Sequence, residues 1–497
     1  MELSLTSSPL LVLLHALLPV LYLLCLRRDP KKQPRSDGLK SYPLIGALPH
    51  LIKNQHRLLE WSTDVVVKQC PTHTMSFKIP GLTGAAITAN PANVEHICKT
   101  KFDNYPKGEV TVSTIEDFLG HGIFNSDGDQ WLWQRKAASY EFSKRSLRNF
   151  VVDTVRFEIV ERLLPLLERA ARDGGRTLDV QDVLERFAFD TICRDGMATS
   201  QSAAEFLRAF NEVQDGVMAR FMKPVGLVWR VQRLLGLGTE RRLREALATV
   251  RGYAGRIVRE RRQRGEAGLA CRDDFLSRFA ASGEHSDESL HDVVTNFLLA
   301  GSDTTSSALT WFFWLVSGRP DVEDKIVSEI RSARAGSGQG TFSFDELRGM
   351  NYLHAAITES MRLYPPVAMN THCCKEEDVL PDGTFVGKGW QATYSAYAMA
   401  RVEGVWGKDC EEFRPERWLG EDGVFQPEST FRYPVFHAGP RMCLGKEMAY
   451  IQMKSIVACV FERFSFRFIG GDVPPGLVLS FTLRMNGGLK MQVKRRS

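Results

Sequence analysis

The sequence predicts a mainly α-helical protein with small β-sheets, preceded by one N-terminal transmembrane helix. Apolar residues recur at three- and four-residue spacing over most of the chain, whereas strand-like stretches are short. One long apolar run stands at the N-terminus. The composition, 43% hydrophobic and 25% charged over 497 residues, is that of a globular protein and excludes a disordered, collagen-like or coiled-coil chain.

The N-terminal run from Leu3 to Leu26 contains no charged residue. As a helix it is about 36 Å long, which is enough to cross the apolar core of a bilayer. Basic residues follow the run and no small-residue cleavage site precedes Arg27, so a membrane anchor is favoured over a cleaved signal peptide. The same basic residues predict that the rest of the chain lies on the cytoplasmic side. We therefore expect an anchor at 1–28, a basic, proline-containing connector at 29–50 and one large domain at 51–497.

Charge and cysteine content exclude several classes of protein. The net charge of +5 is too small to indicate nucleic-acid binding. The ten cysteines include no C-x-x-C pair, so the simplest interpretation is a reducing compartment with mostly inert buried thiols. The glycine-rich stretch 336–340 follows no strand and is interpreted as a linker. A run of arginines predicts a solvated helix face, with contact to lipid headgroups or an acidic partner as the alternative. Its members are the arginines at 241, 242, 244, 256, 259, 261, 262 and 264.

Helical periodicity is clearest in six segments, and strand-like alternation in three. The predicted helices are Arg145–Ala171, Val180–Cys193, Glu240–Arg262, Ser286–Ser317, Asp321–Arg334 and Lys446–Phe461. The predicted strands are Thr74–Ile79, Ala85–Thr88 and Gly476–Phe481. No repeat of 20–50 residues is present.

The helix predicted over Ser286–Ser317 is interrupted by polar residues. Its two apolar halves flank the stretch 300–307, which includes Gly301, Asp303 and Thr304. Gly, Asp, Ser and Thr are poor residues for the middle of a helix, because their side chains compete for backbone hydrogen bonds or, in glycine, leave the backbone free. The pattern indicates a widened groove that holds a small polar ligand or water; a tolerated polar patch is the alternative.

Cys443 is the cysteine whose surroundings indicate chemistry. It stands just before the helix predicted at Lys446–Phe461 and near Arg441, and both the helix dipole and the cation favour a thiolate. Gly439 and Gly445 remove side-chain bulk, so a flat group can approach the backbone, and Arg441 can pair with an anion on that group. This arrangement suits a thiolate bound axially to iron in a planar macrocycle. An inert buried cysteine is the alternative.

The pattern F-x-x-G-x-R-x-C-x-G, which runs from Phe436 to Gly445, resembles the haem-binding signature of the cytochrome P-450 (haem-thiolate) monooxygenases. Further stretches resemble motifs of that family in the expected order. These are Trp131-x-x-x-Arg135, Ala300–Thr305, Glu359-x-x-Arg362 and Pro415–Trp418. The resemblance covers essentially the whole chain, anchor included, and implies the cytochrome P-450 fold for residues 51–497.

Finer matches resemble one plant branch of the family, the fatty-acid ω-hydroxylases, which also includes hydroxylases of the hormone conjugate jasmonoyl-isoleucine. They lie at Tyr105–Gly108, Gly122–Gly128, Val379–Thr384 and Gly445–Ala449. The resemblance implies hydroxylation of a fatty acid at or near its terminal carbon, with the hormone conjugate as the alternative substrate. A hydroperoxide-rearranging haem-thiolate enzyme and a non-catalytic haem protein also remain open.

The resemblance also implies roles for particular residues. Cys443 would bind the iron of haem b, Phe436 would shield the thiolate, and Trp131, Arg135 and Arg441 would hold the haem propionates. In the same way, Thr304 is expected to hydrogen-bond the dioxygen to be activated, and Asp303 to relay protons. Glu359, Arg362 and Arg417 are expected to form a buried charge network that supports the haem loop.

The implied partners are membrane lipid and an NADPH-cytochrome P-450 reductase, because no flavin or nicotinamide domain is recognisable in the sequence. The implied location is the endoplasmic reticulum membrane, with a single span and the catalytic domain facing the cytoplasm. An apolar substrate channel is expected from Ile115, Phe118, Leu119, Phe297, Val367, Met369 and Phe481. Three features differ from the usual family pattern. Relatives usually carry a long basic residue where this chain has Ser302, a basic residue that would contact a propionate is common near His372, and the segment 193–206 is short.

Overall fold

The computed structural model describes most of the chain. The described residues are 39–42, 45–79, 82–142, 154–172, 176–193, 201–223, 226–266, 287–334, 340–471 and 474–496. The predicted anchor at 1–28 and most of the connector at 29–50 lie outside these ranges. In the part of the chain that is described, no helix is long and apolar enough to cross a membrane.

Helices make up most of the described chain. In sequence order they are α1 Leu48–Asn54, α2 Leu58–Lys68, α3 Pro91–Glu95, α4 Glu109–Leu119, α5 Gly128–Ser139, α6 Arg156–Glu158, α7 Leu164–Arg172, α8 Val180–Cys193, α9 Gln201–Met222, α10 Gly226–Leu235, α11 Gly238–Glu266, α12 Asp287–Leu298, α13 Thr304–Ser317, α14 Pro320–Arg334, α15 Phe344–Gly349, α16 Asn351–Leu363, α17 Ala396–Met399, α18 Glu403–Trp406 and α19 Lys446–Phe461. Three π-helical turns add His96–Thr100, Ile159–Leu163 and Leu299–Asp303.

The strands are few and short, and they form four small sheets. They are β1 Thr74–Ile79, β2 Leu82–Thr88, β3 Thr177–Asp179, β4 Met369–Cys373, β5 Asp378–Val379, β6 Phe385–Val386, β7 Gln391–Ser395, β8 Phe464–Phe468, β9 Leu477–Leu479, β10 Leu483–Met485 and β11 Lys490–Arg495. The largest sheet has the order β1-β2-β7-β4, in which only the β2–β7 pair is parallel. A second sheet has the order β3-β11-β8, and β5–β6 and β9–β10 form two hairpins. The predicted mainly helical fold with small sheets is confirmed.

Several predicted elements are found with small shifts. Val180–Cys193 and Lys446–Phe461 have the predicted bounds, and the predicted strand Thr74–Ile79 is β1. The exposed arginines at 241, 242, 244, 256 and 259 line the solvent face of α11, as expected. The first nine residues of the helix predicted from Arg145 lie outside the described ranges. The helix predicted over Ser286–Ser317 is found from Asp287 to Ser317, with a π-helical turn at Leu299–Asp303 between α12 and α13.

Three large apolar clusters, beside a small fourth one around Trp406 and Trp418, form the core and position the functional segments. The first packs α13 against α8, α14, α16 and α19. The second lies between the largest sheet and α2, and it includes Cys98 and Ala438. The third joins α4, α9, α11 and α12 and includes Leu299 of the π-helical turn. Phe436 packs on the first cluster, so the segment 436–438 runs from the first cluster to the second.

Candidate functional site

The loop that carries Cys443 is folded by short local contacts. A 3-10 turn at Pro434–Phe436 and another at Gly439–Arg441 precede α19. The Cys443 backbone N–H donates to the Phe436 carbonyl at 2.8 Å and closes the loop between them. The thiol is surrounded by protein, yet Cys443 has a large accessible surface, so its side chain faces an internal cavity.

The expectation that nearby Arg441 favours a Cys443 thiolate is wrong. Burial raises the pKa of the Cys443 thiol above its ordinary value, and the hydrogen bond from the Gly445 backbone, Arg135 and Lys446 oppose that rise only in part. Arg441 instead points away and pairs with Asp127, at 2.5 Å. The protein by itself therefore favours the protonated thiol at this position. Coordination of the sulfur to an iron ion would stabilise the thiolate.

Gly439 is required by the packing of the loop itself. Its φ of +66° lies in the left-handed region, and a Cβ added there would be 2.0 Å from the Cys98 carbonyl oxygen. At Gly445 an added Cβ would lie 3.3 Å from the Phe142 ring and 3.8 Å from the Cys443 sulfur. The prediction that glycine leaves space here for a flat group therefore explains Gly445 better than it explains Gly439.

Trp131, Arg135 and Arg441 are brought together across more than 300 residues of sequence. The Arg441 guanidinium lies 4.5 Å from the centre of the Trp131 ring, and that of Arg135 lies 5.9 Å from it. Arg135 donates to the Met442 carbonyl at 2.5 Å, and Arg441 donates to the Ser126 carbonyl at 3.0 Å. The two motifs that carry these residues thus form one cationic cluster beside Cys443.

This cationic cluster has more positive charge than the protein neutralises. Burial and then the charge of Arg441 lower the pKa of Lys107 to about 8. Burial and the charge of Arg135 lower the pKa of Arg441, which Asp127 opposes. Arg441 Nε is buried without a hydrogen-bond partner among the described residues. An anionic group is therefore favoured here, and the two propionates of haem fit that requirement.

Lys107 and Asp127 are site residues to which sequence reasoning gave no role. Both lie in stretches that it quoted only for their resemblance, Tyr105–Gly108 and Gly122–Gly128. The structure joins those stretches, since the Lys107 backbone N–H donates to both carboxylate oxygens of Asp127, at 3.1 and 3.0 Å. Asp127 thereby links its own loop, Gly122–Gly128, and the loop Tyr105–Gly108 to Arg441.

The predicted groove in the long helix is the π-helical turn Leu299–Asp303. A π turn widens the helix by one residue and is frequent at functional sites. Gly301 lets α8 approach closely, because a Cβ there would be 2.5 Å from Ile192 Cδ1. The Thr304 hydroxyl donates to the Ala300 carbonyl at 2.7 Å, which leaves its oxygen lone pairs as acceptors.

Asp303 ends the π turn as a buried carboxyl group. Its Oδ2 has no hydrogen-bond partner among the described residues. Burial first, and then the nearby Glu185 carboxyl, raise the pKa of Asp303 to about 7, while Gln214 and Arg484 act in the opposite direction. A carboxyl group with such a pKa can both hold and release a proton near neutral pH.

Glu359 and Arg362, which are fully buried, meet the partly buried Arg417 in one charge network. Arg362 donates to both oxygens of Glu359, each at 2.8 Å, and Arg417 Nε donates to one of them at 3.3 Å. Trp418 Nε1 donates at 2.8 Å to the other oxygen, a contact that sequence reasoning missed. Arg362 also donates to the carbonyls of Ala400 and Cys410, both at 2.7 Å, and so connects three separate segments.

Most of the expected apolar lining lies in one place. Five residues, Ile115, Phe118, Leu119, Phe297 and Phe481, belong to or pack on the third apolar cluster. Met369 packs on the first cluster instead. Helix α9 contributes aromatic residues that were not predicted: Phe210 lies 5.3 Å from Phe118. Part of the short segment 193–206, residues 194–200, lies outside the described ranges.

Comparison with known proteins identifies the family. A family model described as Cytochrome P450 matches residues 37–489. Cytochrome P450 CYP94D108 of Paris polyphylla is 46% identical over 483 residues, which cover 95% of this chain and 94% of the relative. Cytochrome P450 94B1 of Arabidopsis thaliana is 44% identical over 471 residues, 92% and 91% of the two chains. Cytochrome P450 94A1 of Vicia sativa is 41% identical over 479 residues, 92% and 90% of the two chains. The chain therefore belongs to the cytochrome P-450 family, as the motifs predicted, and is a monooxygenase that takes haem with a thiolate ligand, O2 and NADPH-derived electrons.

Proposed function

We propose that this protein hydroxylates fatty acids at or near the terminal carbon, with haem b bound through Cys443. The observation that carries the haem position is the cavity-facing Cys443 thiol beside a cationic cluster that lacks enough anions. Trp131, Arg135 and Arg441 are the residues that would hold the propionates, and Phe436 and Gly445 would lie next to the thiolate ligand. Haem with a thiolate ligand supplies the activation of O2 that C–H hydroxylation requires.

The chain's own residues would hold and deliver protons. Asp303, whose pKa is about 7, would hold a proton on its carboxyl group and release it toward the cavity. Thr304 would accept or pass that proton through its hydroxyl, next to Asp303 on the widened turn. Glu359, Arg362 and Arg417 would keep the Cys443 loop in place without touching substrate.

An extended apolar substrate is supported by the third apolar cluster. The Phe118 ring lies 5.3 Å from Phe210 and 5.7 Å from Phe481, and Leu299 of the π turn joins the same cluster. Aromatic and aliphatic side chains thus reach the turn that carries Asp303. Such a lining favours an acyl chain, which a fatty acid and an acyl-conjugated hormone share.

Membrane association is part of the same proposal. The apolar run Leu3–Leu26 would anchor the chain in the endoplasmic reticulum membrane, with residues 51–497 on the cytoplasmic side beside the reductase. Helix α10 and the turn after it expose Val228, Val231, Leu234, Leu235 and Leu237. An exposed apolar patch of this kind supports contact with lipid.

The test is an assay of microsomes that contain the protein and an NADPH-dependent reductase. Fatty acids of graded length and jasmonoyl-isoleucine are offered, and products are identified by mass. We expect ω-hydroxylated fatty acids, together with a reduced, carbon-monoxide-treated spectrum typical of thiolate ligation. Cys443→Ala should abolish both, whereas the buried control Cys459→Ala should keep both.

Other results would identify the alternatives. Oxygenation of jasmonoyl-isoleucine alone would assign the hormone conjugate as substrate. Product formation from hydroperoxides without NADPH would indicate a rearranging enzyme, against which the Asp303 and Thr304 pair argues. Bound haem without any turnover would indicate a non-catalytic haem protein. Turnover by Cys443→Ala would overturn the assigned iron ligand.

A further inference from the structure

Polar side chains from three other elements meet beside the π-helical turn that carries Asp303. Helix α8 contributes Glu185, helix α9 contributes Gln214 and Asp215, and strand β10 contributes Arg484. All four side chains act on the Asp303 carboxyl. In the proposed hydroxylation Asp303 releases a proton toward the cavity, and these neighbours are placed to return one to it.

Helix α8 is fixed against both β10 and the π-helical turn. The Met485 backbone N–H donates to Gln181 Oε1 at 2.9 Å. At the other end of the helix, a Cβ added to Gly301 would lie 2.5 Å from Ile192 Cδ1, which shows how closely α8 approaches the turn. Glu185 lies one helical turn after Gln181, between these two contacts. The packing therefore holds Glu185 between β10 and the π-helical turn.

Helix α9 contributes a polar stripe that runs from this buried region to solvent. Asn211, Gln214 and Asp215 are spaced three and four residues apart, so they share one face of the helix. Asn211 Nδ2 donates to a Glu185 carboxyl oxygen at 3.4 Å. Gln214 is fully buried, whereas the Asp215 side chain is 52% exposed. Asp215 is therefore the end of the stripe that solvent reaches.

Three buried polar groups around the turn lack hydrogen-bond partners among the residues that the structure describes. They are Asp303 Oδ2, both polar atoms of the Gln214 amide, and Arg484 Nε. The amide is near enough to lower the pKa of Asp303, yet it makes no hydrogen bond to that carboxyl. Buried polar atoms nearly always have a partner, and buried water commonly bridges such groups. The three groups therefore indicate a site for bridging water between α9, β10 and the turn.

The carboxyl groups of Glu185, Asp303 and Asp215 share the guanidinium of Arg484. Asp215 accepts hydrogen bonds from Arg484 and, at 2.9 Å, from the Ser480 hydroxyl. Arg484 also acts on the other two carboxyl groups. Burial nevertheless raises the pKa of the Glu185 carboxyl above its ordinary value. Since one cation does not balance three carboxylates, a proton shared between Glu185 and Asp303 is favoured.

We propose that Glu185 is the proton donor that recharges Asp303, with Asp215 as the point at which protons enter from solvent. The inference rests on the proposed function, in which Asp303 releases a proton toward the cavity. Glu185 then gives its carboxyl proton, through bridging water, to the Asp303 carboxylate. A solvent proton that enters at Asp215 restores the Glu185 carboxyl. Glu185 acts through Asp303 and does not touch substrate.

The stoichiometry of hydroxylation requires such a supply. Conversion of one C–H bond to C–OH takes up O2, two electrons from NADPH and two protons, and it forms one molecule of water. Asp303 therefore has to regain a proton in each turnover. Arg484 is a positioning residue in this arrangement, because it holds Asp215 and faces both inner carboxyl groups.

The first test compares turnover by haem-loaded wild type, Glu185→Gln, Glu185→Asp and a control, Glu212→Gln. Glu212 is exposed on α9. With reductase and a fatty acid, Glu185→Gln should form product about tenfold more slowly or worse, with less product per NADPH and a larger rate ratio between H2O and D2O. Its affinity for the fatty acid should not change. Glu185→Asp should recover part of the rate, and the control should match the wild type.

The second test needs no turnover. Infrared absorption of the haem-loaded protein follows the protonated carboxyl of Asp303 as the pH changes, and the band is identified by its loss in Asp303→Asn. The Glu185 carboxyl raises the pKa of Asp303, which is about 7. Glu185→Gln should therefore move the midpoint of the band to lower pH, whereas Glu212→Gln should leave it in place.

Haem loading of each variant is checked by its reduced, carbon-monoxide-treated spectrum. If Glu185→Gln does not load haem, Asp215→Asn at the exposed end decides, and it should lower the product per NADPH several-fold. Product formation at the level of Glu212→Gln, or an unmoved infrared midpoint, would overturn the inference. Wild-type protein that hydroxylates no fatty acid would contradict the proposed function instead, and the infrared titration would then decide this inference alone.

Discussion

The sharpest prediction from the structure concerns the effect of removing the Glu359 carboxylate. It is fully buried, and it accepts hydrogen bonds from Arg362, Arg417 and Trp418. Glu359→Gln keeps the shape of the side chain but removes its charge and turns an N–H group toward donors. Breaking a buried ion pair from one side costs about 3–5 kcal/mol, because the partner charge stays buried. Against a total stability of about 5–15 kcal/mol, that loss is severe.

The assay is urea unfolding of the haem-loaded protein, followed by circular dichroism and by loss of the thiolate-type spectrum. Lys388→Ala is the control, since the Lys388–Glu376 pair has a similar length of 2.9 Å but side chains 70% and 63% exposed. Removing that pair should change stability by less than about 1 kcal/mol. The reasoning is refuted if Glu359→Gln costs no more than the control, because burial would then make no difference to the ion pair.

Three further predictions concern the haem loop and the long helix. Gly439→Ala should prevent haem loading, because its Cβ would meet the Cys98 carbonyl oxygen at 2.0 Å; Gly423→Ala, at a φ of +71° with no atom within 4 Å, should load haem normally. Arg441→Gln should speed haem loss from the purified protein, since it removes a cation beside Trp131 and the partner of Asp127. Asp303→Asn should change how stability depends on pH. The wild-type pKa of about 7 is raised from 3.8, so the folded state binds the proton more tightly and stability falls by up to about 4 kcal/mol as the pH rises from about 4 to 7. The asparagine variant should lack that decline in unfolding experiments.

For each of these three predictions, one experimental result would contradict it. Haem loading by Gly439→Ala at the level of Gly423→Ala would show that the loop can shift away from Cys98. Unchanged haem retention by Arg441→Gln would place the anionic groups of the cofactor elsewhere. A pH profile of Asp303→Asn parallel to the wild type would mean that the Asp303 carboxyl is not the titrating group.

Much of the site was predictable because its motifs are contiguous. The Phe436–Gly445 loop, the Trp131 and Arg135 pair and the Glu359 and Arg362 pair each lie within one short segment, where residue spacing fixes the geometry. The polar stretch at 300–307 predicted a widened helix for a local reason, and the π turn Leu299–Asp303 confirms it. The prediction that Arg441 favours the Cys443 thiolate was wrong, because adjacency in sequence did not reveal that Arg441 turns toward Asp127.

The sequence by itself determined the family, the mainly helical fold and the segments that meet at the haem loop, since periodicity and motif spacing are local properties of a chain. Tertiary structure alone decided which distant groups share a buried environment. The pKa of Asp303 depends in part on Glu185. The hydrogen bond from the Lys107 backbone to Asp127 joins two separate loops. Cys98, His372 and His437 come together from three separate segments. Burial and charge coupling act through space, and the sequence does not state which groups lie close together.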